Sequence, residues 1–337
     1  MFRKVVKNWL KTGSNLRFKC ERFSNDARDV EKLFLRKDVQ RILEEITGFD
    51  LNRVFSQKPV PRLNAPRYLF LTDEDLKMSM ERAKRKAKHK LAMPPIMNPR
   101  EDVTQILEVD TALQGFDKHK YIFTDISLGF NDRNRLIVVR EPNGVLRRAN
   151  RQERYHMNQT FFPAEGRSME VPKMFEDEYL QEVLDRQEYL FALERTCVQF
   201  EPDDPQHIQI MHKIYDHIND SKKFELLRST RHFGPMAFYL AFNDKIDNLL
   251  IDMIDRRRIS DGSNLVKLYY ITNQREDAAL HEEDDLQIIK SYVMKDSKHR
   301  HYLEVSLQNY QHYIEELKAM EENIELADGK KARAGKD

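Results

Sequence analysis

The sequence is short of cysteine, glycine and long apolar runs, and each shortage closes off a class of function. Its 337 residues include only two cysteines, Cys20 and Cys197. Two are too few for a disulfide framework, neither belongs to a CxxC pair for zinc or redox work, and a reducing compartment is expected. The ten glycines never lie closer than six positions apart. The dinucleotide fingerprint GxGxxG, the nucleophile elbow GxSxG and the phosphate loop GxxxxGK all need tighter spacing, so all three are excluded. No apolar run approaches the ~18 residues of a membrane helix. The longest, MAFYLAF at 236–242, is far shorter, and no membrane span is expected.

Chemistry-bearing side chains are present but do not converge. His207, His212 and His217 recur every five residues, which turns each by ~140° around a helix and scatters them. Asp244, Asp247, Asp252 and Asp255 match the polar side of a helix running through Ile246 to Ile254. Cys197 stands among Leu193, Val198 and Phe200 with no histidine near enough in sequence to activate it, which is the setting of a core residue. The pattern calls for no metal, no cofactor, no catalytic residue and no small-molecule substrate.

What the chain does have is charge. Charged residues make up 34% of it, against about 25% in an average soluble domain. The net +1 conceals a gradient: 24 Lys+Arg against 12 Asp+Glu in residues 1–100, 9 against 9 in 101–160, and 24 against 35 thereafter. Such a gradient suggests an acidic neighbour for the N-terminal part and ordinary protein surface elsewhere. The first twenty residues contain six cations and no acid, and Phe2, Val5, Val6, Trp9 and Leu10 share one helical face. That is the pattern of a mitochondrial transit peptide; an ordinary helix or a nucleic-acid-binding arm is the alternative.

Further along, Val39, Ile42, Leu43 and Ile46 repeat at helical spacing and Gly48 supplies a stop. SQKPVPRLNAPR, 56–67, reads as an extended linker. The next helix carries Arg82, Lys84, Arg85, Lys86, Lys88 and Lys90 around a thin apolar stripe of Met80, Ala83, Ala87 and Leu91, and Pro94 ends it. Like charges crowded on so narrow a seat repel one another unless a polyanion or acidic partner neutralises them. A solvated basic face is the plain alternative.

YIFTDIS (121–127), LIVVR (136–140) and VLRRA (145–149) read as strands, the last two joined through Pro142-Asn143-Gly144. This hairpin carries Arg135, Arg140, Arg147 and Arg148, candidates for nucleic-acid or partner contact alongside the helix cations. Beyond it, Met211, Ile214, Tyr215 and Ile218 share a helix face, as do Ile246, Leu249, Leu250, Met253 and Ile254, and Leu303, Leu307, Tyr310, Ile314 and Leu317. The expected fold is α+β and predominantly α-helical, with a small antiparallel β-meander at about 120–149 and a helical C-terminal half. Residues 1–34 read as transit peptide and flexible start, 35–160 as basic helices plus meander, 161–322 as a helical domain and 323–337 as a disordered tail. In RSTRHFG, 228–234, Ser229 or Thr230 is placed to cap a helix, with Arg228 and Arg231 beside the cap. Such a helix start holds an anion, either a phosphate or carboxylate from a partner or an Asp of this chain.

DVQRILEEITGFDL near the start, KYIFTDIS, RLIVVREPNGVLRRA, QFEPDD, KFELLRSTRHFG and KIDNLLIDMIDRRRISDGSNLVKLY resemble, in order, the mitochondrion-specific small-subunit ribosomal protein family usually numbered 22. The resemblance runs from about residue 35 to about 320, and NQREDAALHEEDDLQ, 273–287, departs most from it. It implies an architectural component of the mitochondrial small ribosomal subunit, in the matrix, among small-subunit rRNA and neighbouring small-subunit proteins, with no catalytic residue to carry over. Phosphate contacts would then position the protein without reading base sequence. A helical adaptor of the mitochondrial matrix not bound to the ribosome is the alternative, and an enzyme with an unfamiliar site is the weaker one.

Overall fold

The computed structural model describes residues 29–55, 68–102, 104–116, 118–275 and 284–334, with side chains as far as 320. Residues 1–28 and the proline-rich 56–67, on which the transit peptide and linker readings rest, lie outside the described residues. Four strands form one antiparallel sheet and the rest is mainly helix, as the sequence pattern implies.

The helical core begins earlier than expected. Helix α1 (Val30–Phe34) is capped by Asp29, whose carboxylate accepts from the Lys32 N–H, and α2 (Lys37–Thr47) buries Val39, Ile42, Leu43 and Ile46. Both pack into the same core as the helices beyond residue 177. Phe34 meets Phe238 edge-on with ring centroids 5.3 Å apart. The expected start at residue 35 and division near 160 therefore do not follow the packing, because α1 and α2 bury their apolar faces against the C-terminal half. A short α3 (Leu51–Val54) leads on to α4 (Asp73–Lys90), the basic helix.

At the centre lies α9 (Phe233–Phe242), buried over all ten residues. Its sequence is apolar on every side, and Pro235 in its first turn lacks only an N–H that would be unpaired there anyway. Around it stand α6 (Asp177–Asp185), α7 (Tyr189–Gln199), α8 (Pro205–Ser221), α10 (Asp247–Asp255), α11 (Ile259–Thr272), α12 (Asp285–Lys295) and α13 (Arg300–Ala334). The expected apolar faces of α8 and α10 are buried throughout, and α13 contributes Leu303 and Leu307. Its helical backbone continues to Ala334, into the segment whose composition suggests a tail.

The sheet is ordered β1-β4-β3-β2, from β1 (Ile106–Val109), β2 (Tyr121–Thr124), β3 (Ile137–Arg140) and β4 (Val145–Arg148). Strand β1 is an addition to the expected three. It is exposed at all four positions and its register shifts between Ile106 and Glu108, so it shows no alternation by which a sequence reading finds a strand. One sheet face buries Ile137, Val139 and Ala149 with Ile122 against Met157 of α5 (Arg151–Phe161). This small second core meets the helical core through polar contacts: Arg100 N–H donates to Asp203 O at 2.8 Å and Gln199 Nε2 to Tyr155 Oη at 2.8 Å.

Candidate nucleic-acid interface

Helix α4 is an exposed helix by construction. Thr72 Oγ1 accepts from the Asp75 N–H, three acids fill the first turn, and Lys88, His89 and Lys90 occupy the last, so both ends complement the helix dipole. Only Ala87 is buried. Ala83 and Leu91 are half-covered, whereas Met80 stays exposed, so the apolar stripe is seated at its C-terminal end alone. All six expected cations are exposed. Lys88 lies 3.8 Å from Glu44 and Lys90 stands 4.8 Å from the Phe55 ring centroid, so these two flank the seat. Arg82, Lys84, Arg85 and Lys86 make no ion pair among the described residues.

The hairpin arginines have other work. Arg135 is buried, donates to the carbonyls of Asp125, Ser127 and Phe130 at 2.8, 2.9 and 2.9 Å, and stacks on Phe162 at 3.5 Å. It ties the β2–β3 connection together and is closed to a partner. Arg147 bridges Glu141 at 2.6 Å and Glu153 of α5 at 2.8 Å, and both carboxylates raise its affinity for its proton. Arg140 donates to Gly144 O at 3.0 Å and lies 3.5 Å from Glu108. Only Arg148 is exposed and without a carboxylate among the described residues. The interface candidates thus shrink from a helix plus a hairpin to α4 with Arg148, since loop carbonyls and carboxylates folded back on the hairpin claim the other three arginines.

The RSTRHFG segment is likewise corrected. Helix α9 starts within it, at Phe233, with His232 at the cap position and no side-chain cap. Ser229 adopts a left-handed φ of 57° and its N–H donates to Thr47 O at 3.0 Å, while its Oγ accepts from the Asp50 N–H at 3.3 Å. Thr230 Oγ1 donates back to Leu227 O at 2.6 Å. Arg228 pairs with Asp261 at 2.5 Å, an acid in the first turn of α11. Arg231 is half-buried with its Nε 3.3 Å from His232 Nε2. The motif clamps α2 to α9 and α11, and the two arginines do not converge on one anion.

Asp247, read as part of the polar side of a helix, is buried. It accepts from Tyr292 Oη at 2.5 Å and from the N–H groups of Lys298 and His299, both at 2.9 Å, anchoring the entry to α13. Among the described residues no cluster of three or more His, Cys, Asp and Glu is placed to hold a metal, and no helix is long and apolar enough to cross a membrane. A feature the sequence reading missed is a cavity where the sheet unit meets the helical core, lined by arginines drawn from loops, β4 and α5. Its residues span positions 100 to 204, and no local spacing connects them.

The comparisons agree with the resemblance. The sequence profile of a family described as Mitochondrial 28S ribosomal protein S22 matches residues 32–274. The chain is similar to Small ribosomal subunit protein mS22 of Mus musculus, at 38% identity over 293 residues covering 86% of this chain and 81% of the mouse protein. It is similar also to the protein of that name from Bos taurus, at 38% over 305 residues, 89% of this chain and 84% of the bovine one.

Proposed function

The chain belongs to the mitochondrial 28S ribosomal protein S22 family, and on that premise we propose that it is a structural component of the mitochondrial small ribosomal subunit, held to rRNA through α4. Its role is architectural rather than enzymatic, and it is exercised in the matrix. The observation that carries the RNA contact is the set of four cations, Arg82, Lys84, Arg85 and Lys86, exposed on a helix that buries only Ala87. Burial does little to hold such a helix in place, and its charges repel until phosphates neutralise them and release counterions.

Replacing those four with Gln tests the reading. Incorporation into the small subunit falls and RNA crosslinks from α4 disappear, and the salt slope of binding drops by ~1 per phosphate contact removed. The fold stays intact within about 0.5 kcal/mol, since none of the four packs into a core. Unchanged incorporation would return α4 to a solvated surface. A protein neighbour is a second reading with its own observation: Tyr68, Leu69 and Phe70, just before α4, are 90%, 77% and 108% exposed. Apolar side chains in such a run are suited to a neighbouring small-subunit protein, and loss of protein crosslinks without loss of RNA crosslinks would favour it.

A further inference from the structure

Where the sheet unit meets the helical core lies a cavity of about 240 Å³ whose wall holds six arginines, Arg100, Arg133, Arg148, Arg151, Arg154 and Arg167, and as many carboxylates, among them Glu101, Asp102 and Asp132. Three are neutralised on the spot. Arg167 lies 2.7 Å from Glu201, Arg133 is 3.3 Å from Asp203, and Arg151 is 4.0 Å from Asp204. The other three have no carboxylate within ion-pair distance among the described residues. Arg154 donates only to carbonyls, those of Arg135, Asp132 and Arg133 at 2.9, 2.7 and 3.2 Å. Arg100 donates to Arg133 O at 2.9 Å, and the Arg148 side chain is exposed without a hydrogen bond among the described residues.

Two buried amides of α5 add a second, independent sign. Asn158 and Gln159 are each 6% exposed and line the same cavity, yet Asn158 Oδ1 and Gln159 Nε2 have no hydrogen-bond partner among the described residues. Native proteins seldom leave buried polar atoms unpaired unless something else fills the site. Water would satisfy the amides, but it would not cancel the mutual repulsion of three guanidinium groups. That repulsion is felt by Arg154, whose hold on its proton is weakened first by burial and then by Arg100 and Arg148, and is only partly restored by Asp132 and Asp203.

We propose that this cavity binds the phosphate and ribose of a single ribonucleotide, with Arg100, Arg148 and Arg154 around the phosphate. Gln159 Nε2 adds a neutral donor, and Asn158 Oδ1 accepts from a ribose hydroxyl. Guanidinium forks match phosphate oxygens in geometry as well as charge. The volume is below the ~300 Å³ of the smallest usual ligand pockets, which confines the enclosed part to phosphate and sugar and leaves the base outside. The nucleotide comes either from an RNA chain or from the free pool. The site shares no residue with α4 and stands whether or not α4 meets RNA.

The test is thermal unfolding of the purified full chain with AMP at about 1 mM, with a short oligoribonucleotide, and with sodium chloride at matched ionic strength. AMP or the oligonucleotide raises the melting temperature beyond the chloride control. The double variant Arg100→Gln, Arg148→Gln weakens apparent affinity by roughly tenfold or more. Replacing Arg82, Lys84, Arg85 and Lys86 leaves the AMP response unchanged, which separates this site from α4. Gln159→Glu, which places a carboxylate among the unpaired guanidiniums, raises the melting temperature of the free chain and abolishes the ligand response. AMP acting as well as the oligonucleotide identifies a free mononucleotide site, and response to the oligonucleotide alone identifies an RNA nucleotide. No shift beyond chloride with either ligand, or a shift that the double variant leaves intact, overturns the proposal.

Discussion

Glu153 is a buried carboxylate held by three groups at once: Arg147 at 2.8 Å, Lys120 at 2.7 Å and the Asn150 N–H at 3.0 Å. These partners, Arg147 foremost, pull its pKa down to about 2. Its folded pKa lies below the unfolded value, so its stabilisation is complete above about pH 4.5 and is lost as pH falls toward 2. Arg147→Met strips away the main partner and should cost about 3 kcal/mol in urea unfolding; a loss within error of zero would contradict the burial argument. His207 titrates in a higher window. Burial lowers it to about 4, and His212 and His232 are lowered by the same cause. Unfolding therefore takes up protons below about pH 6.5, and stability should fall steadily from there toward 4. A flat stability profile between pH 6.5 and 5 would show that these imidazoles are not held neutral. At this scale the sequence was least legible. That Arg135, Arg140 and Arg147 sit on a hairpin could be read from spacing, but whether each meets a carbonyl, an acid or solvent is decided by how the Phe130 carbonyl, Glu108 and Glu153 of α5 fold back on them, which spacing does not show.

The hairpin turn at Pro142-Asn143-Gly144 was legible as an element, and Gly144 takes a φ of +84° there. What local sequence does not reveal is that strand β1 closes over it. Asp110 N–H donates to Gly144 O at 2.9 Å, and a Cβ on Gly144 would lie 1.9 Å from Asp110 O. Gly144→Ala thus combines an unfavourable φ with a backbone clash. It should loosen β1, whose residues are all exposed, and leave α9 undisturbed. Hydrogen exchange reads this directly: amides of 106–110 exchange faster while those of 236–242 keep their protection. Uniform acceleration across both would mean the sheet and helical core unfold as one unit. Helices α2, α8 and α10 were legible because each buries a single 3.6-period face. Four-residue β1 was not, since an exposed edge strand carries no hydrophobic alternation.

For the molecule as a whole, the packing of α1 limits where an import leader could end. Asp29 caps α1, and Val30, Leu33 and Phe34 are core residues, so we expect import cleavage at or before Asp29. N-terminal sequencing of the mature protein checks this; a start beyond Phe34 would remove the helix that packs on Phe238. Residues 1–28 carry 8 Lys+Arg against 2 Asp+Glu, and the remainder has 49 against 54. Much of the charge gradient therefore belongs to residues 1–28, and the basic character that remains is concentrated on α4. A net acidic body with one basic helix has the charge layout expected of a molecule that offers α4 to a polyanion and most of its remaining surface to proteins. Sedimentation of a mitochondrial lysate, with the chain and the small-subunit rRNA followed through the same gradient, tests this account most directly. The account predicts that the chain travels with the small-subunit rRNA and leaves that position when the lysate is treated with ribonuclease. A chain that stays at the top of the untreated gradient would contradict it.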